Sequence, residues 1–510
     1  MVETKPLQNE AIRVTRNTKR STQMVMRMIA LVRTVLRWSL IGLLLGSVTG
    51  CSHPVHQPQP PVELPGSFSS TGSIPPPEQW WQAFEDDDLN ALIERALTSN
   101  FNLQAAWERL AQAHAVARQT DAALWPQATG QAGAGRTRQE DDRGTTYTSL
   151  YSVGVAASYE VDLWSRLNAT RQAAWLDARA TRDTLDTAAI TLSASMANTW
   201  YQLAEAKALV RIAREQIETN KKVLDLVTVQ FRKGVASAAD VLRQRQLVTS
   251  TEATLITAEE TVALLQYTLS VLIGAPPELA WQQSAIDLPT LPPMPNPGVP
   301  SEVLLRRPDV RRAYHQVQAA DQRLAVAIAD QYPRLSLSAS ATTSVASVSD
   351  LFDDWLANLA TNAVQPLFDA DRRKAEIQRQ RAIVRERFHT WSQTILEVLQ
   401  DVETALTQER QQTQLLDNLN VQLALARETY QRNRESFMKG QANYIRVLES
   451  LQSLQSLERQ AVRARRILIQ RRIDLYRSIA GPWDLPAPTL ARVDDPDRRT
   501  SNAQGMSQNN

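Results

Sequence analysis

Residues Phe231–Leu242 read FRKGVASAADVL, and residues Phe437–Leu448 read FMKGQANYIRVL. Each stretch interrupts a long Ala- and Gln-rich run with a helical pattern. A glycine inside a helix costs about 1 kcal/mol relative to alanine, so a Lys-Gly break made twice asks for a reason. The stretches share Phe231/Phe437, Lys233/Lys439, Gly234/Gly440, Ala236/Ala442, Val241/Val447 and Leu242/Leu448, all at one constant offset. Two further matches follow at nearly the same offset. Asn102–Gln127 aligns with Asp309–Arg334, setting Trp107 on Tyr314 and Trp125-Pro126 on Tyr332-Pro333. Thr268–Pro277 aligns with Leu475–Trp483, setting Gly274 on Gly481. The chain is a tandem duplication.

The copies occupy residues 80–274 and 301–485, joined by a Pro-rich linker at 275–300. Each runs helix, aromatic-Pro, two strand-like runs, a very long helical stretch, the Lys-Gly break and a shorter helix. Strands are expected at about 127–138 and 147–162 in the first copy, and at about 334–347 and 355–368 in the second. Tyr147–Asp162 alternates cleanly. Tyr147, Tyr151, Val153, Val155, Ala157, Tyr159 and Val161 share one face, with Thr148, Ser152, Gly154, Ser158, Glu160 and Asp162 on the other. Glu140–Gly144 reads as the hairpin loop.

Trp164–Lys233 and Ala370–Lys439 are equal in length, and neither contains a proline. As helices they would be about 105 Å long. The returning runs, Ala236–Gly274 and Ala442–Ala480, are also equal but only a little more than half as long. By residue count, Pro308–Gln331 completes the first return, and the N-terminal helix, about Asp88–Leu124, completes the second. The Lys-Gly pairs are then the tips of helical hairpins, at 233–236 and 439–442, where glycine supplies the turn.

The formal net charge of +2 is unevenly placed. Residues 1–50 carry eight basic and two acidic side chains, which leaves the rest mildly acidic, with no basic stripe for nucleic acid. Trp38–Gly50, WSLIGLLLGSVTG, is apolar, and Arg33 and Arg37 keep it short of the length a membrane span needs. A basic region, a short apolar core and small residues describe a secretory signal over 1–50. Cys51 is the single cysteine, so the chain forms no internal disulfide. Val48-Thr49-Gly50-Cys51 resembles a bacterial lipobox, which implies lipidation of Cys51 and its exposure as a new N-terminus; Ser52 then points to the outer membrane. Residues 51–79 read as an extended Pro/Ser-rich tether, and 486–510 as a disordered polar tail.

After Cys51 no apolar run is long enough for a helix to span a bilayer. Strands that enter a membrane must close into a barrel, and the smallest such barrels have about eight strands. Four strands per chain therefore require several chains. Trp125, Trp164, Tyr332 and Phe368 fall at the helix-side ends of the strands, where they would form a membrane girdle. The same residues also suit the junction core of a soluble protein.

Five stretches carry a family resemblance: Trp80–Ala113 (WWQAFEDDDLNALIERALTSNFNLQAAWERLAQA), Gly298–Ala320 (GVPSEVLLRRPDVRRAYHQVQAA), Gln365–Arg373 (QPLFDADRR) and the two tips. Over about Trp80–Trp483 the chain resembles an outer membrane factor of the TolC-like family, in its NodT-type lipoprotein branch. The resemblance implies an α+β membrane protein that forms a homotrimer. Its twelve-stranded outer-membrane β-barrel, four strands per chain, would continue into a long periplasmic α-helical barrel. It would serve as the outer membrane channel of a tripartite efflux system in a Gram-negative bacterium, exporting drugs or toxic small molecules. Its partners would be a periplasmic membrane-fusion adaptor, a proton-driven resistance-nodulation-division transporter of the inner membrane, and outer membrane lipid. No enzymatic chemistry and no cofactor beyond the lipid on Cys51 is implied. His53, His56, His114, His315 and His389 are scattered without metal-ligand spacing. Protein secretion ducts share this plan, and a lipid-anchored coiled-coil scaffold without a pore is the alternative from another class.

The resemblance also places a periplasmic gate just after the second tip. Ile445 matches a hydrophobic constriction, and Glu449 an acidic position one turn along the same face. Three copies would give an apolar ring and an acidic ring favouring cations. Arg446 departs from the family pattern and offers a partner for Glu449 or Asp240. Arg446 and Glu449 also suit an ordinary exposed helix pair. At the first tip, Lys233, Gly234, Val235, Ala236, Ser237 and Asp240 are candidate adaptor contacts; Lys439 and Gly440 form the second tip. Asp371, where relatives often have glycine, reads as a cap of the descending helix.

Overall fold

A computed structural model describes residues 62–70, 72–75, 77–277 and 288–485. The expectations for the signal at 1–50, for Cys51 and for the tail at 486–510 lie outside them. After a 3₁₀ turn at Trp80–Phe84 come α1 (Asp87–Ser99), α2 (Phe101–Ala122), β1 (Gln127–Asp141), β2 (Gly144–Val161), α3 (Arg166–Arg232) and α4 (Ala238–Leu272). A second pass gives α5 (Pro300–Arg306), α6 (Pro308–Ala329), β3 (Arg334–Val345), β4 (Leu356–Val364), α7 (Arg372–Met438) and α8 (Tyr444–Ile479). The long helices α3 and α7 have 67 residues each, about 100 Å. With no proline inside them, nothing interrupts their hydrogen-bond ladders.

The four strands form one antiparallel sheet in the order β1-β2-β3-β4. The β2–β3 pairing joins the two copies, from Tyr151 opposite Val345 to Val161 opposite Leu335. Register sets Val155 against Ala341 and Tyr159 against Leu337 on one face, with Ser158 against Ser338 and Glu160 against Ser336 on the other. One face is thus apolar and the other polar, and the outer edges of β1 and β4 have no strand partner among the described residues. The first hairpin is tighter than the expected Glu140–Gly144 loop. Pairing continues to Asp141 and Gly144, leaving Asp142-Arg143 as the turn, with Gly144 at φ +123°. β4 stops at Val364, short of the expected 368, because Pro366 cannot donate to a ladder. Phe368 therefore lies outside the strand.

Helix stacking differs from the residue count. α4 is continued end to end by α2, not α6. Ser99 Oγ donates to the Ile273 carbonyl at 2.6 Å, and Asn100 Nδ2 to the Leu272 carbonyl at 2.9 Å. Asn100 Oδ1 meanwhile caps α2 by accepting from Leu103 N at 3.0 Å. In the second copy α8 meets α6, and Arg307, the positional equivalent of Asn100, donates to the Ser478 carbonyl at 3.0 Å. Each copy completes its own return. Counting could not discriminate, because α2 and α6 are both 22 residues long. Terminal carbonyls facing terminal donors decide the match. α6 then packs between α3 and α7 and ties the copies together.

The core concentrates at this mid-height belt. Trp80, Trp81 and Phe84 pack on Trp200 and Tyr201 of α3 and on Ile469, Ile473 and Tyr476 of α8. Trp80 stacks on Tyr476 at 5.8 Å, and Trp81 meets Trp483 edge-on at 5.1 Å. The segment read as a free tether is partly docked here. Phe68 is buried beside Val303, Val402 and Leu475. Ser69 N and Oγ donate to Glu403 at 2.9 and 2.5 Å, and Asn296 N donates to the Ile74 carbonyl at 2.6 Å. Phe68, with Leu64 packed against the same cluster, seats the segment. A buried ion pair, Arg472–Glu409 at 2.5 Å, holds the linker, since Arg472 also donates to the Pro292 and Pro293 carbonyls.

Candidate functional site

The two tips are built alike. Gly234 N donates to the Phe231 carbonyl at 3.0 Å and Val235 N to the Gln230 carbonyl at 2.9 Å. Gly440 N donates to the Phe437 carbonyl at 3.0 Å and Gln441 N to the Ser436 carbonyl at 2.9 Å. Both are Schellman closures, and both glycines are left-handed (Gly234 at φ +76°, Gly440 at φ +71°). The new helix then starts on Ser237 in a capping box with Asp240, or on Asn443. At the first tip Lys233, Gly234, Val235 and Ser237 are exposed and Ala236 is half-buried; Lys439 and Gly440 are exposed at the second.

The first turns of α8 have two faces. Tyr444, Val447 and Leu451 are buried against Val223, Val227, Val241 and Phe437. Ile445, 40 % exposed, and Glu449 lie on the outward face with Arg446. Burial, and then the nearby Asp240 charge, pushes the Tyr444 phenol up, so it remains a hydroxyl donor. Asp240 is committed elsewhere. Its carboxylate accepts from Ser237 N at 3.0 Å and pairs with Arg243 at 3.3 Å. Among the described residues Arg446 pairs with neither Asp240 nor Glu449; only its backbone is engaged, with Asn443, Asn433 and Ser450. Ile445, Arg446 and Glu449 thus share one exposed face, on which neither charge has an ion-pair partner among the described residues.

At the opposite end the strands meet the helices. Trp164 stacks on Tyr332 at 4.8 Å and donates Nε1 to the Pro333 carbonyl at 2.8 Å, joining the copies at the sheet base. Trp125 and Phe368 stand apart, 71 % and 91 % exposed. Ion pairs brace the corners: Arg166–Glu160 at 2.8 Å, Arg334–Asp330 at 2.6 Å and Arg373–Asp369 at 2.7 Å. Sequence reasoning missed Phe352 and Trp355, an exposed aromatic pair 6.4 Å apart at the far end of the sheet. Trp355 opening a strand was the available signal. Asp371 is not the cap expected of it. It sits at φ +63° with no capping bond, pairing instead with Lys374 at 2.9 Å. Asp369 accepts from Arg373 N at 3.3 Å, as Asp162 accepts from Leu167 N at 3.0 Å in the first copy.

Known proteins share this plan. A family model described as outer membrane efflux protein matches residues 92–275 and again 299–481, once per copy. The pyoverdine export outer membrane protein OpmQ of Pseudomonas aeruginosa is 32% identical over 82% of this chain and 90% of its own length. The cation efflux system protein CusC of Escherichia coli is 26% identical over 80% of this chain and 91% of its own. Among solved structures, the outer-membrane channel OprN superposes with a TM-score of 0.78 at 24% identity, covering 84% of this chain and 99% of that one. With the model matched across both copies, the chain belongs to the outer membrane efflux protein family.

Proposed function

We propose that three copies of this chain close their sheets edge to edge into a twelve-stranded outer-membrane barrel, continued by their helices into a periplasmic tunnel. The observation that carries this reading is the open sheet. Among the described residues the outer edges of β1 and β4 are unpaired, and the apolar face stays exposed, with Val155 at 60 %. An exposed apolar sheet with free edges is an aggregation hazard unless lipid covers its face and neighbours pair its edges. Among the described residues no helix is long and apolar enough to cross a membrane, so spanning falls to the strands.

The chain then acts as the exit duct of a tripartite efflux system, without enzymatic chemistry. The first tip, Lys233–Ser237, faces a periplasmic adaptor, and a resistance-nodulation-division pump supplies the cargo. Ile445 and Glu449, with Arg446 beside them, ring the periplasmic constriction, while Trp125, Trp164, Tyr332 and Phe368 mark the membrane boundary. Cys51 carries the lipid. Pyoverdine export and cation efflux, named for OpmQ and CusC, share this plan, so a small-molecule cargo is set by the pump and not by the duct. Val155→Asp tests the reading. A charge on the lipid face should abolish the heat-resistant trimer in outer membrane fractions. A pore-free periplasmic scaffold would tolerate the same change, and a normally inserted trimer would favour it.

A further inference from the structure

Beneath the candidate constriction lies a group of buried polar side chains that the duct reading does not use. Asn220 and Gln244 are fully buried, and Gln216, Thr251, Tyr444 and Gln455 nearly so, at 5 % exposure or less. They come from α3, α4 and α8, and they bond chiefly to one another. Gln455 Nε2 donates to Asn220 Oδ1 at 2.8 Å, while Asn220 Nδ2 donates to Thr251 Oγ1 at 2.9 Å. Gln244 Nε2 donates to the Asn220 carbonyl at 2.8 Å, and Gln244 Oε1 accepts the Tyr444 hydroxyl. Gln216 Nε2 donates to the Gln455 carbonyl at 3.1 Å and to Glu458 at 2.9 Å. Two helices of the first hairpin are thereby tied to the constriction helix of the second.

Position gives the network its meaning. Asn220 stands about four helical turns before Gly234, and Gln455 about four turns after Gly440. Both are about 21–22 Å from their tips, so the amides meet at equal height on the two hairpins. Phe437 also packs here, but it belongs to the same hairpin as α8; the contacts that cross between the hairpins, Val223, Val227 and Val241 against Val447 and Leu451, are aliphatic. Such contacts are tolerant of sliding by one turn, about 5.4 Å, because one aliphatic side chain replaces another. Buried amides are not, since a shift strands their donors and acceptors away from water.

We infer that Asn220 and Gln455, supported by Gln244, Thr251 and Tyr444, are positioning residues that fix the axial register of α8 against the first hairpin. They thereby fix the height and rotation at which Ile445 and Glu449 are presented. Only this last step rests on the proposed constriction. A single polar contact in a helical seam can specify register at a cost in stability. Here the reciprocal amide pair does so between duplicated hairpins of one chain.

The test measures register directly. In the full-length protein, nitroxides on genetically encoded p-acetylphenylalanine at the exposed positions Thr249 and Ser453 leave Cys51 untouched. Labelled chains are diluted with unlabelled ones, and pulsed electron resonance reads the α4–α8 distance. The wild type should give one narrow distribution. Asn220→Leu combined with Gln455→Leu should keep the melting temperature near wild type yet add a component displaced by about 5 Å, one helical turn. A stable double variant with the wild-type distribution would overturn the inference. Tyr444→Phe, which removes one hydroxyl and should fold, should broaden the distribution; an unchanged profile there also counts against it. Planar-bilayer conductance of the double variant should split into several levels. Shifted distances with unchanged conductance would uphold the register role and sink the constriction reading.

Discussion

At Asp371 the backbone holds φ at +63°, a left-handed conformation that an L side chain adopts at a cost. Glycine adopts it freely, and the pair Asp371 would give up, with Lys374, is three-quarters exposed and weak. Asp371→Gly should therefore stabilise the protein by about 0.5–1 kcal/mol. Gly234→Ala should do the reverse by about 1–2 kcal/mol, purely through backbone strain, since a Cβ there meets nothing within 4 Å. Shifts of opposite sign in the urea midpoint check both. The tip glycines were legible in the sequence because Lys-Gly breaks an obvious helical pattern. The positive φ at Ser165, +57°, was not, because serine seldom marks a left-handed turn, and at Asp371 the cap reading overrode the tolerance of aspartate for that region.

Elements join through charges at their ends. Asp309 opens α6, and Arg307 grips it through Nε at 3.0 Å and Nη2 at 2.5 Å while also reaching Asp401 at 3.3 Å. Burial works to raise the Asp309 carboxyl, but the Arg307 hydrogen bonds and charge outweigh it and hold the group below the usual range. A depressed carboxylate contributes stability that is present above its unfolded value, about 3.9, and lost as pH falls through the lower folded value. Asp309→Asn should thus cost about 2 kcal/mol at neutral pH. Its deficit should vanish in urea titrations well below about pH 3.9. At this scale element order, helix length and the hairpin tips were written in the sequence. Which short helix continues which long one was not. That depends on Ser99, Asn100 and Arg307 reaching carbonyls far away along the chain (separations of 174, 172 and 171).

For the whole molecule, charge at the candidate constriction is the sharpest expectation. Among the described residues Arg446 finds no acidic partner, and Asp240 is held by Ser237 and Arg243. In a three-fold assembly the Arg446 ring would oppose the Glu449 ring across one helical turn. Arg446→Ala should raise the cation-to-anion permeability ratio by at least about twofold, and Glu449→Gln should lower it comparably. Ile445→Ala should widen the passage and raise conductance without altering that ratio. Reversal potentials across a salt gradient separate the three effects. The constriction roles proposed for Ile445 and Glu449 rest on the resemblance alone. Only the burial of Tyr444, Val447 and Leu451 showed which way their helix faces.

The duplication, the alternating strands, the tips and the family could all be read from the chain alone, because they reside in periodicity and spacing. Contacts across the molecule could not. Folding placed α2 rather than α6 above α4, seated Phe68 in the core, withdrew Asp240 from Arg446 and assembled the Asn220–Gln455 network. A repeat pattern needs only neighbours in sequence. A hydrogen bond between residues 235 positions apart exists only once helix ends and faces have found one another.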